Sequence, residues 1–578
     1  MHPCLSIAEL VRHIASYHDE KTHAPQLNFG LTCRAFYEPA MDALWEALED
    51  DIEPLLRLLP EHVLSQHERY GLMIGQAPQG DEWFRFQHHA KRISSILIKR
   101  RSFKVYHVQV LHKLCKTYPG PYPLPGLRSF QCGDHVDLGA GWGKLLPPAV
   151  QDVLISSNCH MNPTAFFNVM LERPSLRRLG YSSHPDFFEN MMESFDNEDD
   201  GTHRAYEDYN MDDDEDGDED DDEDNNMDYD EPKPVNWTAA ESGLNAVLLR
   251  HDQLTVIDLD ALIPTSVQIL ASLPMLEFLR FVMDSNYSYD SFVGHHAGRI
   301  PFPALHDLDL RVPSESPDAV VGFLGAIRRS PVKSVFIIFG LGEWSFGDEA
   351  PPVVPAEATE DGPPRYITQV TAALAQIPSV RHIIMDTDDK CARLPEFRFA
   401  ADSLRALLPL RGLQRLCLST YPVSLKADAL ALIPAAWPDI ACLELGQHYG
   451  YDYTNTRAAG LLPFAACRRL QKFALNLDPE VSLEVLAKRS PSTQSVSPLE
   501  TLSIGEAHID NPARLAALLS GVFPNVRLVG YEENLELAEV NRLIPLFVEA
   551  DKAAVSSSSG HNSAPHAIED LLSGQSKV

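Results

Sequence analysis

GLQRLCLSTYPVSLKADALALIPAAWPDIACLEL, Gly412 to Leu445, decides how the chain folds. It opens on Leu413, Leu416 and Leu418 and closes on Ile440, Leu443 and Leu445, two copies of the pattern apolar-x-x-apolar-x-apolar. Alternation over the last three positions is the signature of a strand with one buried face, while Ser424 to Trp437 between the copies has helical spacing behind a capping residue. A strand–helix unit of this length cannot bury its own apolar face, so units of this kind stack into arrays that share one core.

Further copies extend in both directions. They are RLQKFAL (Leu470, Phe473, Leu475), PLETLSI (Leu499, Leu502, Ile504) and NVRLVGY (Val526, Val529, Tyr531) downstream. Upstream stand PSVRHIIM (Val380, Ile383, Met385), PALHDLDL (Leu305, Leu308, Leu310), PMLEFLRF (Leu276, Leu279, Phe281), QLTVIDL (Leu254, Ile257, Leu259) and PSLRRLGY (Leu176, Leu179, Tyr181). LRSFQC (Leu127, Phe130, Cys132) and Ile93, Ile96 and Ile98 carry the pattern earlier still. From Leu413 to Ile440, Leu470, Leu499 and Val526 the steps are 27, 30, 29 and 27 residues. A second helix is predicted from Asn511 to Phe523.

Two insertions break the period. Asp196 to Glu231 holds 21 acidic residues against one arginine, which is −20 of the net −34 and leaves −14 for the rest. With almost no aliphatic content it is predicted to be a disordered loop. The Pro- and acid-rich segment 344–365 reads the same way. Neither part carries the basic stripe that phosphate-backbone binding needs, so no nucleic-acid partner is expected.

Composition bounds the remainder. An apolar fraction of 44% is that of a globular protein, and the best apolar run, Val332 to Leu341, falls short of the roughly 18 residues of a membrane helix. MHPCLSIAELVRH lacks a basic start and a long apolar core, so no secretory signal or membrane association is predicted and the protein is expected inside the cell, in cytoplasm or nucleus. The nine cysteines, among them Cys417, Cys442 and Cys467 at intervals of 25, show no Cys-x-x-Cys spacing. Their interval approximates the repeat period, and reduced, buried thiols without metal or cofactor are the expectation.

HVDLGAGWGK (His135 to Lys144) resembles the first motif of the S-adenosylmethionine methyltransferases. That site needs a helix of several turns next, where Pro147 and Pro148 stand, and an acidic residue about 20 positions on, which is missing. A glycine-rich loop between repeats, and no enzyme, is the expectation. His88/His89 and His295/His296 are adjacent pairs whose side chains diverge, and Tyr449, Tyr451 and Tyr453 offer either an aromatic patch or loop packing.

The N-terminal segment has a different character. In LTCRAFYEPAMDALWEAL (Leu31 to Leu48) apolar residues return every three or four positions, and Ile7, Leu10, Val11 and Ile14 form a stripe before it. The segment resembles the F-box-like domain that opens a group of fungal proteins with leucine-rich remainders. Ile7, Ala8, Glu9, Leu10, Val11 and Ile14 fall on that family's first helix. Thr32, Cys33, Arg34, Phe36, Ala40, Met41, Leu44 and Trp45 match its later signature, with Ala8 and Ala15 standing where the family has Pro and Phe. The resemblance implies binding of a Skp-type adaptor, and through it a cullin, by Ile7, Leu10, Val11, Ile14, Leu31, Phe36, Leu44 and Trp45. It thus implies a non-catalytic substrate receptor of a ubiquitin ligase. The other reading is a leucine-rich-repeat interaction protein that does not bind the adaptor.

The expected fold is α/β: an F-box-like helical domain over 1–60, a linker and helix over 61–90, and first repeats over 91–195. The acidic insertion occupies 196–236, the irregular leucine-rich-repeat horseshoe 237–531, and a capping helix and tail 532–578. Strand alternation points Phe278, Arg280, Asp307, Asp309, Phe336, His382, Ile384, Arg415, Glu444 and Lys472 away from the leucine core. That set is expected to be exposed and to bind a protein substrate.

Overall fold

The structure is a computed structural model, and it describes residues 8–16, 24–49, 52–67, 71–98, 106–132, 141–156, 162–182, 237–283, 289, 299–312, 317–340, 365–392, 394, 397–418, 421–446, 457–488, 495–505, 508–529 and 535–557. The expected acidic insertion, the loop 344–365 before Arg365, Ile7, His295, His296 and the Tyr449–Tyr453 run lie outside them. The chain divides into two compact units, Met1–Asp260 and Ala261–Val578.

The first unit opens with helices Ala8–Ser16, Ala24–Thr32 and Arg34–Glu46, the last running without a break into the strand Ala47–Glu49. That strand begins a parallel sheet continued in chain order by Ser95–Ile98, Ser129–Cys132, Asp152–Ser156, Arg178–Ser182 and Val256–Leu259. A small antiparallel hairpin, Leu64–His67 with Gly71–Ile74, lies beside it in sequence.

The main sheet of the second unit has, among the described residues, nine parallel strands, again in chain order: Phe278–Val282, Asp307–Val312, Ser334–Phe339, His382–Thr387, Arg415–Leu418, Cys442–Leu445, Lys472–Leu475, Thr501–Ser503 and Arg527–Val529. Each of the apolar patterns supplies one strand, Leu416 opposite Leu443 and Leu443 opposite Phe473, but the last is corrected by one residue: Leu502 lies opposite Leu528, which is buried, and the expected Val529 lies opposite Ser503. In successive units the residue before the strand repeats one hydrogen bond: Gln414 N–H to Arg381 O at 2.7 Å, Ala441 to Gln414 at 2.7 Å and Gln471 to Ala441 at 2.8 Å. One buried row therefore runs through Leu279, Leu308, Val335, Ile383, Leu416, Leu443, Phe473 and Leu502. Gly446, at φ +65°, turns the chain off its strand where a Cβ would stand 3.0 Å from the Tyr421 carbonyl.

Helices return the chain between strands, and their starts are written in the sequence. Asn162 and Asn511, each followed by a proline at the first helical position, accept hydrogen bonds from Thr164 N–H (2.8 Å) and Arg514 N–H (3.0 Å). The predicted helix over Ser424–Trp437 is corrected: Ser424 pairs as a strand with Ala400, and two single turns, Ala427–Leu430 and Ile433–Ala436, follow. Pro434 removes the N–H that would bond back to Leu430 and so ends the first turn.

Among the described residues, the last strand has no neighbouring strand on its outer side. Asn541, on the helix Leu535–Ser557, fills that place: its Oδ1 accepts from Leu528 N–H at 2.7 Å and its Nδ2 donates to Leu528 O at 2.9 Å.

Candidate functional site

The residues singled out from the sequence lie on two surfaces, one in each unit. In the N-terminal helices, Val11, Ala40 and Met41 are buried, and Gly30 lets two helices approach so closely that a Cβ there would meet the Ala40 Cβ at 2.9 Å. Beside that closed side other apolar positions stay open: Leu10 is 42% exposed, Ile14 40%, Leu27 44% and Leu31 68%. The first two helices thus each present an i, i+4 apolar pair to solvent. Tyr37 is exposed as well.

The eight residues assigned to the adaptor separate accordingly. Leu10, Ile14 and Leu31 are open, while Phe36, Leu44 and Trp45 are half-buried. Phe36 stacks on Phe29 at 4.6 Å and Trp45 meets His89 at 4.8 Å. Val11 faces the helical core, a correction to its placement on an open stripe, since it is one position and about 100° around the helix from Leu10. Leu27, which sequence reasoning did not single out, is exposed; its i, i+4 partnership with Leu31 was the available signal.

One arginine ties the third helix to the rest of the unit by charge, beside the Trp45–His89 contact and the hydrogen bonds from Ser94 N–H (2.8 Å) and Ser94 Oγ (3.2 Å) to the Glu46 carbonyl. Arg92, 6% exposed in its side chain, pairs with both Glu38 and Asp42, while Asp42 also lies 3.6 Å from Arg12.

The second surface is the sheet face away from the leucine rows. The ten residues predicted there are on that face by strand alternation, but the expectation that they are exposed is corrected for Phe278, Arg280, Asp309, Phe336 and Glu444, which are buried. Neighbouring strands lie about 4.8 Å apart, so side chains of successive units cover one another. Arg280 Nε meets Asp309 Oδ2 at 2.5 Å, with the two side chains 1% and 0% exposed, and its guanidinium lies 5.9 Å from the Phe278 ring centre. Asp307, His382, Ile384, Arg415 and Lys472 are half-buried.

Glu444 organises the far part of this face. Its Oε1 receives Lys472 Nζ at 2.9 Å and the Cys442 thiol at 3.2 Å, and its Oε2 the Cys417 thiol at 3.3 Å. Burial raises its carboxyl, but the Lys472 ammonium, the Arg415 charge and the Cys442 thiol outweigh that and hold it at about 2, against an ordinary 4.5. Burial first, and the Glu444 charge after it, push the Cys442 thiol up to about 12, so it stays protonated and donates. A carboxyl depressed on folding adds stability above pH 4.5 and loses it as pH falls toward 2. Acid titration of the urea midpoint from about pH 5 to about pH 3 is expected to fall more steeply for the natural chain than for Glu444→Gln. Parallel limbs would refute a stabilising role for this cluster.

Other motifs have structural surroundings. Gly141, at φ +97°, leads into a single 3-10 turn, Trp142–Leu145, in place of a long helix; Trp142 stacks on Phe166 at 6.0 Å and Lys144 donates to the Tyr118 carbonyl at 2.5 Å. His135–Ala140 lie outside the described residues. The His88 and His89 rings do not diverge as expected but meet edge to face at 5.0 Å. Among the described residues, no group of three or more His, Cys, Asp or Glu is placed to hold a metal ion, and no helix is long and apolar enough to cross a membrane. No protein-family model matches the chain, and no curated protein matches it.

Proposed function

We propose that the chain is a non-catalytic substrate receptor of an SCF-type cullin–RING ubiquitin ligase, its N-terminal helices docking a Skp-type adaptor and its strand–helix units, read as an irregular leucine-rich-repeat solenoid, holding a protein substrate. The observation that carries this reading is the pair of open apolar faces, Leu10 with Ile14 and Leu27 with Leu31, on helices resembling an F-box-like domain. Helix-in-groove docking takes up such i, i+4 anchors. Arg92 supports it by fixing those helices to the rest of their own unit, since a receptor positions its substrate by holding its adaptor-binding part in a defined place. Catalysis belongs to the other subunits.

A repeat protein without a ligase role is favoured by the inward Val11 and by Trp45 resting on His89, which leave fewer anchors for an adaptor. Copurification separates the two. Leu10→Asp with Ile14→Asp, both at exposed positions, is expected to abolish capture of adaptor and cullin while circular dichroism and melting stay unchanged. Undiminished capture by the folded variant, or no capture by the natural chain, would sink the receptor reading.

A further inference from the structure

Arg415, Lys472 and Arg527 each stand first in their strand, and the register sets them in one line. Arg415 is opposite Cys442, Cys442 opposite Lys472, Lys472 opposite Thr501, and Thr501 opposite Arg527. Three cations thus occupy alternate strands, about 10 Å from one to the next at the ordinary strand separation. Arg415 and Lys472 are half-buried and Arg527 is exposed. Glu444, beside Cys417 in the adjacent row, holds Lys472 at 2.9 Å and faces Arg415, so these cations are fixed in place; its single charge leaves the line with a positive excess.

An extended polyproline-like chain rises about 3.1 Å per residue and brings every third side chain to the same side, about 9 Å apart. That repeat matches the separation of the three cations. We propose that this line is a docking site for an acidic protein segment, lying extended across the strands with Asp or Glu at every third position. It deepens the receptor reading, on which it rests, by naming the substrate class that the repeats hold. Charge complementarity selects the occupant: carboxylates meet fixed cations at matching intervals, and the intervening Cys442 and Thr501 leave room for small side chains between them.

The test uses the full chain and a fluorescent synthetic peptide with Asp at every third position and Ala or Pro between. A peptide of equal composition with its Asp residues contiguous, and a single-stranded oligonucleotide of equal charge, are the comparisons. The spaced peptide is expected to bind roughly tenfold more tightly than the contiguous one, because it alone engages all three cations. Arg527→Glu, at an exposed position where folding is not at stake, is expected to weaken it about tenfold. Lys472→Gln is expected to weaken it roughly fivefold. Equal affinity for the two peptides, an unchanged affinity in Arg527→Glu, or tighter binding of the oligonucleotide would each overturn the proposal. Adaptor capture requires neither the peptide nor this line of cations, so failure of the peptide leaves the receptor reading standing, and a failed capture leaves the peptide result readable.

Discussion

Asp309→Ala destabilises the second unit by about 3–5 kcal/mol, the expected cost of removing one partner from a fully buried ion pair. Asp309 and Arg280 are 0% and 1% exposed, so the guanidinium would stay in the interior without the carboxylate it faces at 2.5 Å. Water cannot take the vacated place without opening the sheet face, and arginine cannot shed its proton as a buried lysine can. The double change Arg280→Met with Asp309→Leu removes both charges and keeps apolar volume beside Phe278, and is expected to be within about 1 kcal/mol of the natural chain or more stable. Urea denaturation of the three proteins measures both claims. A single-variant loss under about 1 kcal/mol would mean that the pair is hydrated, contrary to its burial.

The second large effect belongs to Arg92. Its side chain is buried, but the carboxylates it holds reach solvent, Glu38 at 62% and Asp42 at 37% exposure. Arg92→Ala therefore leaves no buried anion, and the expected cost is that of the lost charge-assisted hydrogen bonds, about 2–3 kcal/mol. The loss falls on the attachment of the N-terminal helices, to which the Trp45–His89 contact, the Ser94 hydrogen bonds to the Glu46 carbonyl and the main chain entering Ala47–Glu49 also contribute. Hydrogen exchange of helix Arg34–Glu46 is expected to accelerate while exchange in the strands Arg178–Ser182 and Val256–Leu259 stays constant. Arg92→Lys should rescue little, since one ammonium cannot span both carboxylates as the planar fork does. Uniform acceleration across the unit would show that Arg92 supports the whole fold and not the attachment alone.

Much of the sheet was legible because its signal is local. Apolar-x-x-apolar-x-apolar lies within six residues, and every copy read from sequence supplies a strand. Three strands escaped recognition as copies. Val150, Val153 and Ile155 behind Pro148, and Val332, Val335 and Ile337 behind Pro331, fit the pattern and were passed over; Ala47–Glu49 continues a helical apolar stripe and carries no strand signal of its own. The faces of the strands were legible for the same reason except in the last, where Leu528 and not Val529 takes the core position, whereas their exposure was not. Whether Arg280 meets water depends on Asp309, 29 residues away and adjacent only through register. The N-terminal helices show the same limit from another side. Periodicity aligns Leu10 with Ile14, but which side of the helix the neighbouring helices cover is a tertiary fact, and it placed Val11 inside.

Asn541 carries a consequence for how this chain can change over evolutionary time. By answering the N–H and C=O of Leu528 with one side-chain amide, it occupies the hydrogen bonds that another strand would use. An open strand edge recruits further strands, including those of other molecules, and this edge is closed. A duplicated unit appended after Val529 would meet a helix already in its place, whereas one inserted between internal strands would find the same ladder on both sides. The sheet can lengthen from within, and its end travels with it unchanged.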